Sequence, residues 1–102
     1  MSEVVTMVSA HLAPERVAEV IEAFGHAVRA GMPERRHTSL FRGEDNLVRI
    51  VTVWRSREDL ERYLSCVDRR RGFAVALLEG AGGTPVVDVL ELVMDSNTPW
   101  WP

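Results

Sequence analysis

The 102-residue chain contains a single cysteine, Cys66, so it cannot form a disulfide within one subunit. A fold that does without disulfides is compatible with a reducing compartment, and we expect a cytoplasmic protein. No apolar run approaches the roughly 20 residues that a membrane-spanning helix needs, and no basic segment is followed by an apolar core near the N-terminus. The sequence therefore predicts neither a membrane segment nor a secretory leader.

Positive charge is also sparse and scattered. The formal net charge is -3, and the only basic run is Arg69–Arg71, which is more typical of a solvated turn than of a binding surface. Nucleic-acid-binding domains usually carry a basic face that neutralises phosphates. The composition therefore argues against a nucleic acid as the main partner.

Several common chemical motifs are missing. No histidine or cysteine pair has the spacing of metal ligands, so we predict no metal site. The glycines from Gly80 to Gly83 follow a helical pattern and enter a strand, the reverse of a phosphate-binding loop. No serine, histidine and acid form a recognisable nucleophile motif.

What the sequence does contain is a strong central segment, LVRIVTVWRSREDLERYL, over residues 47–64. Its first half is rich in β-branched residues and predicts a buried strand. Ser56 then offers an N-cap, with Asp59 three residues later, and apolar residues continue at helical spacing. Trp54 lies at the junction, so the surroundings of this tryptophan should determine what the protein does.

The remaining segments complete an alternating order of strands and helices. The predicted elements are a strand over Glu3–Leu12, a helix from Pro14 that ends at Gly31 and Pro33, a strand over Arg35–Arg42, a turn at Gly43–Asn46, the central strand and helix, a short helix after Asp68, and a strand over Pro85–Met94. This order predicts an α+β, ferredoxin-like split βαβ domain with a four-stranded antiparallel sheet over residues 1–94, followed by a tail over residues 95–102.

The helices can cover only one face of such a sheet. Apolar residues fall at both parities of the strands, so the other face would expose Val5, Met7, Val51, Val53, Val87, Val89 and Val93, or their alternates. Large apolar patches on small soluble domains usually mark a partner surface, and a second copy is the simplest partner. We expect a homodimer.

The segment VRIVTVWRSREDLERYL, in this element order, resembles the antibiotic biosynthesis monooxygenase superfamily of dimeric α/β barrels. The feature that carries the resemblance is a strand ending in tryptophan, a short polar step and a helix, here VTVWRSREDL. Relatives include cofactor-independent oxygenases of aromatic polyketide pathways, quinol monooxygenases and haem-degrading enzymes, and polyketide cyclases share the dimeric architecture. The resemblance implies a small aromatic ligand and no cofactor.

Residue by residue, the match to the family's catalytic sets is incomplete. The asparagine, tryptophan and histidine of the haem-degrading relatives align with Val8, Tyr63 and Phe73, so we expect no tight haem binding and no haem degradation. The asparagine and tyrosine of the anthrone-oxidising relatives align with Ile50 and Leu60. Of that second set, this chain keeps only the tryptophan, Trp54.

The candidate site combines aromatic, apolar and titratable residues. Trp54 is expected either to stack on a flat ligand or to bridge strand and helix in the core. Tyr63 is a candidate for both substrate binding and catalysis, and His37 is the best-placed acid or base because its charge changes near neutral pH. Phe24 and Ile50 complete the predicted substrate-binding set. His11 is a second choice, and His26 is expected to be a solvated helix residue near Glu22.

These residues lead to one hypothesis and two alternatives. The first is a cofactor-independent monooxygenase that positions a deprotonated aromatic polyketide- or quinol-like substrate for reaction with oxygen. The alternatives are a polyketide cyclase on the same fold and a non-catalytic dimer that binds small molecules. An apolar cavity beside Trp54 and Tyr63 would favour an active site over a filled core. We also predict that Trp100 and Trp101 dock the tail against the body.

Overall fold

The structure is a computed structural model that describes residues 3–30, 37–65 and 72–94. The strands are β1 (Val4–His11), β2 (His37–Arg42), β3 (Leu47–Trp54) and β4 (Val86–Glu91), and the helices are α1 (Pro14–Ala30), α2 (Arg57–Ser65) and α3 (Phe73–Gly80). The strands form one sheet in the order β2-β3-β1-β4, and every neighbouring pair is antiparallel. The predicted α+β, ferredoxin-like architecture is confirmed.

The strand register separates the residues that face the helices from those on the other face. Val4 lies opposite Trp54, and Val8 lies opposite Ile50. All four are buried, which identifies the even-numbered residues of β1 and β3 as the helix-facing set. The alternation that a one-sided sheet requires is therefore present, although the apolar residues at both parities conceal it in the sequence.

The helix-facing side contains two apolar clusters. The main core joins β1, β3, α1 and α3 through buried residues that include Val8, Val20, Ile50 and Leu78. A smaller cluster at the other end of β1 and β3 consists of Val4, Trp54, Leu60 and Tyr63, with Leu64 packed against it. The division matters because the second cluster contains Trp54 and Tyr63 of the predicted site, whereas Phe24 packs against the main core.

Helix α1 begins at Pro14 as predicted, because a residue without an N–H is well tolerated in the first helical turn. Val17 and Val20 are buried, but Ile21 and Val28 are 44% and 45% exposed. Helical spacing predicts an apolar stripe of Val17, Val20, Ile21, Phe24 and Val28, and the buried part of that stripe is narrower than the full set. Ile21 lies at the margin of the stripe, and Val28 falls in the last turn.

The predicted turn between β2 and β3 is present as a single 3-10 turn over Glu44–Asn46. Asp45 and Asn46 adopt left-handed φ values of 57° and 58°, which short polar side chains tolerate better than most. The Leu12 N–H donates to the Asn46 carbonyl at 3.1 Å, and the Asp45 carbonyl lies 3.1 Å from Nδ1 of His11. The turn is thus tied to the end of β1.

The N-cap of α2 is also confirmed, since the Asp59 N–H donates to Oγ of Ser56 at 3.2 Å. The spacing of charges along α2 predicts two ion pairs one turn apart, Arg57 with Glu61 and Glu58 with Arg62. Arg62 instead contacts Asp59, three residues earlier, at 2.8 Å.

The face away from the helices, here called the open face, carries Val5, Met7, Val51 and Val53 as one of the two predicted parities. The prediction that Val87 and Val89 share this face is wrong. Register with β1 places Val87 and Val89 on the helix side and puts Val86, Asp88 and Leu90 on the open face. Val86 and Leu90 are 61% and 49% exposed, so the open face remains apolar at its β4 edge.

Some predicted features lie outside the described residues. These are the predicted helix end at Gly31 and Pro33, the predicted strand start at Arg35, Cys66, Asp68, Arg69–Arg71 and the tail from Asp95 to Pro102. Within the described ranges, no helix combines the length and apolar character needed to span a membrane.

Candidate functional site

Trp54 and Tyr63 pack against each other where β3 gives way to α2. Their ring centroids are 5.0 Å apart with an interplanar angle of 44°, and each residue is only 3% exposed. Tilted pairs at this distance are favourable because the edge of one ring meets the face of the other. The pair joins strand to helix, as the core interpretation of Trp54 predicts.

The same two residues also line a pocket of about 240 Å³ between the sheet and the second and third helices. Its lining residues are Thr6, Val8, Thr52, Trp54, Leu60, Tyr63, Leu64, Gly72, Phe73, Ala74, Val75, Val87 and Val89. Drug-sized ligands usually occupy roughly 300–1,000 Å³, so this pocket suits a compact ligand. Trp54 therefore does both: it packs in the core and it lines the pocket.

The helical wall of the pocket is held by Tyr63. The Phe73 N–H, at the start of α3, donates to the Tyr63 hydroxyl oxygen at 2.9 Å. No side chain caps α3 at Gly72, whose φ of 80° favours glycine. The Tyr63 hydroxyl thus accepts one of the first N–H groups of α3, which have no partner within the helix, and it links α2 to α3.

Two threonines that the sequence did not single out, Thr6 and Thr52, line the pocket floor, and Thr38 lies next to Thr52 outside the lining. Thr6, Thr52 and Thr38 occupy neighbouring positions on β1, β3 and β2. Nε1–H of Trp54 donates to Oγ1 of Thr6 at 3.0 Å, and the hydroxyls of Thr38 and Thr52 share a hydrogen bond of 3.0 Å. The available signal was parity along β1, because Thr6 lies between Val4 and Val8, which are both buried on the helix-facing side.

His37 does not belong to this pocket. It is exposed on the open face of β2, where it lies opposite Val53, and its Nε2 is 2.9 Å from Oγ of Ser39. The sheet separates it from Trp54 and Tyr63. The expectation that His37 acts on a ligand there is therefore corrected, because parity along β2 directs it to the other face.

Two further predicted residues support the sheet and do not contact the pocket. Ile50 is 1% exposed within the main core, and Phe24 of α1 packs against that core. Neither is among the residues that line the pocket. His11 is an exposed residue at the end of β1, and His26 lies 3.9 Å from Glu22 on the surface of α1.

The positions aligned with functional residues of the family do converge. Val8, Leu60, Tyr63 and Phe73 all line the pocket together with Trp54, whereas Ile50 does not. Apart from the indole N–H of Trp54, the polar side-chain groups of the described lining residues are therefore the hydroxyls of Thr6, Thr52 and Tyr63. Over residues 3–30, 37–65 and 72–94, no three histidine, cysteine, aspartate or glutamate residues are grouped as a metal site would require.

Solved structures with the same fold include proteins with and without a described activity. SnoaB, a cofactor-independent oxygenase from Streptomyces nogalater, is 20% identical, with 96% of this chain and 100% of that chain covered and a TM-score of 0.67. A dimeric ferredoxin-like protein of unknown function from Thermobifida fusca is 16% identical, with coverages of 89% and 92% and a TM-score of 0.65. These similarities show the shared fold.

A third structure, the NE2512 protein of unknown function from Nitrosomonas europaea, is 12% identical, with 96% of each chain covered and a TM-score of 0.69. No curated protein shows a significant match to the sequence. The family comparison is more direct, because residues 3–73, most of the chain, match the antibiotic biosynthesis monooxygenase family. The chain belongs to this family.

Proposed function

We propose that the protein is a cofactor-independent monooxygenase for a compact, planar aromatic substrate of the polyketide or quinol type. The observation that carries the proposal is the pocket beside Trp54 and Tyr63, on the helix side of the sheet. Its lining is largely apolar and includes the aromatic residues Trp54, Tyr63 and Phe73. Such a site favours a flat aromatic ring through burial and through edge-to-face contact.

The reaction that suits this pocket starts from a substrate with an acidic C–H next to a conjugated carbonyl. Loss of the proton gives an enolate, whose carbon transfers electrons to O₂ and forms a C–O bond. Protonation gives a hydroperoxide, and elimination of water leaves a carbonyl, so R₂CH₂ and O₂ become R₂C=O and H₂O. The substrate supplies the electrons, which is why the scheme needs no further reductant.

In this scheme the protein orients the substrate, excludes water and stabilises the enolate. We assign ring contact to Trp54 and Tyr63. We also assign protonation of the peroxide to the Tyr63 hydroxyl, because a phenol is more acidic than the alcohols of Thr6 and Thr52. Phe24, Ile50 and His37 have no part in the proposal, since none of them lines the pocket.

A second candidate, a non-catalytic aromatic-binding protein, is favoured by one specific observation. The described lining residues include no carboxylate, histidine or amide side chain. A cyclase would need a positioned acid or base near neutral pH, so the same observation counts against that alternative. An oxygenase remains compatible because an anthrone-like substrate is itself acidic enough to form the reactive anion.

We further propose that the protein acts as a cytoplasmic homodimer in which two open faces pack together. The open face exposes apolar side chains, with Phe41 at 55%, Val86 at 61% and Leu90 at 49%. The similar structure from Thermobifida fusca is described as dimeric. This arrangement would leave the pocket, on the opposite face, accessible to substrate.

The test is oxygen consumption with anthrone and with 1,4-dihydroxynaphthalene, followed by product analysis. Val87→Trp should fill the pocket and reduce turnover at least tenfold, because Val87 lines it and is half exposed. Val28→Trp makes the same change at a similarly exposed position on α1 and should leave turnover unchanged. Tight binding without oxygen uptake would support the non-catalytic candidate, and equal turnover in the wild type and Val87→Trp would reject this pocket.

A further inference from the structure

The pocket floor presents two hydroxyl groups side by side. Thr6 and Thr52 are directly opposed on β1 and β3, and both line the pocket. Side chains at such positions have Cβ atoms about 4.5–5.5 Å apart, close enough for two hydroxyls to reach one oxygen atom between them. Their neighbours along the floor and wall are apolar, including Val8, Val87 and Val89.

The existing hydrogen bonds leave these hydroxyls with donor capacity. Oγ1 of Thr6 accepts Nε1–H of Trp54 at 3.0 Å, so its own proton points elsewhere. The Thr6 side chain makes no other hydrogen bond within the described ranges. Thr38 and Thr52 share one bond of 3.0 Å but carry two hydroxyl protons, so Thr52 can donate into the pocket when Thr38 donates to it.

Trp54 strengthens this arrangement. An oxygen that already accepts a hydrogen bond becomes a better donor through its own proton, because the bonds in a chain polarise one another. The tryptophan therefore contributes twice, through its ring to the aromatic wall and through its N–H to the polarity of Thr6. The contact also gives the buried indole N–H the acceptor that it needs.

Building on the proposed aromatic-binding function, we infer that Thr6 and Thr52 form a two-donor site for a single oxygen of the ligand. The preferred ligand is a compact planar aromatic with a phenolic, keto or enolate oxygen at the edge that enters the pocket first. The apolar remainder of the lining disfavours a polar group elsewhere on the buried rings. In the proposed reaction, the same two donors stabilise the enolate oxygen.

The experiment compares two probes that differ by one oxygen, 1-naphthol and naphthalene, by calorimetric titration at pH 7. Binding of naphthalene tests the aromatic pocket itself. The ratio of the two dissociation constants tests the inference, because only the hydroxyl can use the threonine donors. In the wild type, 1-naphthol should bind about tenfold more tightly than naphthalene, which is the value of one to two hydrogen bonds.

Four variants and one matched control then locate the donors. Thr6→Val and Thr52→Val should each reduce the preference to about threefold or less while naphthalene affinity is retained. Thr6→Ser and Thr52→Ser keep the hydroxyl and should keep the preference. Thr84→Val makes the same substitution at an exposed loop position and should match the wild type.

Two results would overturn the inference in distinguishable ways. A naphthol preference that survives in both valine variants would place the donor elsewhere, with the aromatic pocket intact. If neither naphthalene nor 1-naphthol binds the wild type, the proposed aromatic site is rejected together with the inference. Thr52→Val keeps the test decisive if Thr6→Val does not fold, because Thr52 makes no contact with the Trp54 N–H.

Discussion

At the scale of single residues, Gly83 has the closest surroundings of the described glycines. A Cβ placed there would lie 2.7 Å from Cδ2 of Leu12, 2.9 Å from Cβ of Ala10 and 3.2 Å from the Leu78 carbonyl oxygen. The glycine is therefore required by space, and its backbone φ plays no part in the requirement. It allows the segment before β4 to pass close to β1.

Gly83→Ala should lower the free energy of unfolding by about 1–3 kcal/mol, because overpacking a filled site forces neighbours to move. Gly80→Ala is the control, since a Cβ at that position has nothing within 4 Å. It should change stability by less than about 1 kcal/mol, in the stabilising direction, because alanine restricts the unfolded chain. Urea denaturation measures both, and equal effects would contradict the packing argument.

The hydroxyl of Tyr63 gives a second prediction at this scale. Tyr63→Phe removes the acceptor of the Phe73 N–H and should cost about 1 kcal/mol of stability. The loss should be local, with faster amide hydrogen exchange in α3 than in the wild type and little change in α1. Unchanged exchange in the first turn of α3 would show that the bond does not hold that helix.

The candidate site shows which residues a sequence pattern can and cannot identify. Trp54 and Tyr63 could be predicted because a strand–tryptophan–helix junction and helical spacing place them together. Thr6 and Thr52 could not, because they become neighbours only through the pairing of β1 with β3, across 46 positions of sequence. His37 was misplaced for the same reason, since residue type indicates chemistry but strand parity decides the face.

At the scale of elements, the start of α2 depends on one side chain. Oγ of Ser56 accepts the Asp59 N–H, and Ser56 is only 5% exposed. Because α2 carries Leu60 and Tyr63, the cap also fixes the pocket wall. Local sequence alone determines this feature, which explains why it could be predicted correctly.

Ser56→Ala should destabilise the protein by about 1 kcal/mol, as is typical for loss of an N-cap. Ser65→Ala is the matched control at the other end of α2, where the exposed hydroxyl donates to the Arg62 carbonyl at 2.8 Å. That change should stay within about 0.5 kcal/mol. Thermal unfolding of both variants provides the comparison, and equal losses would mean that the cap contributes nothing specific.

The element order and type could be predicted because helical periodicity, turn residues and β-branched runs are local signals. The strand order β2-β3-β1-β4 is a property of non-local pairing. The register of β4 is also non-local, so the sequence could not show that Val87 and Val89 face the helices while Val86 faces away. All three residues are valines, and residue type does not distinguish them. Only the register with β1 shows which of these valines line the pocket.

At the scale of the whole molecule, the open face should determine the oligomeric state. Val51→Asp places a charge at the centre of this face and should produce monomers in sedimentation velocity, because an unpaired buried charge is costly. Val28→Asp makes the same change on α1, where the side chain is 45% exposed, and should remain dimeric. A wild-type protein that sediments as a folded monomer would refute the proposed dimer.

The position of β1 at the centre of the sheet has a consequence for the order in which the molecule is made. β1 pairs with β3 on one side and with β4 on the other, and the Leu92 N–H donates to the Glu3 carbonyl at 2.8 Å. During synthesis, the edge of β1 that pairs with β4 therefore has no partner until β4 has been made. Until then its backbone groups offer a template to other nascent chains, and the apolar open face adds to that risk. We expect refolding yield to fall steeply with protein concentration, because this final closure competes with pairing between chains.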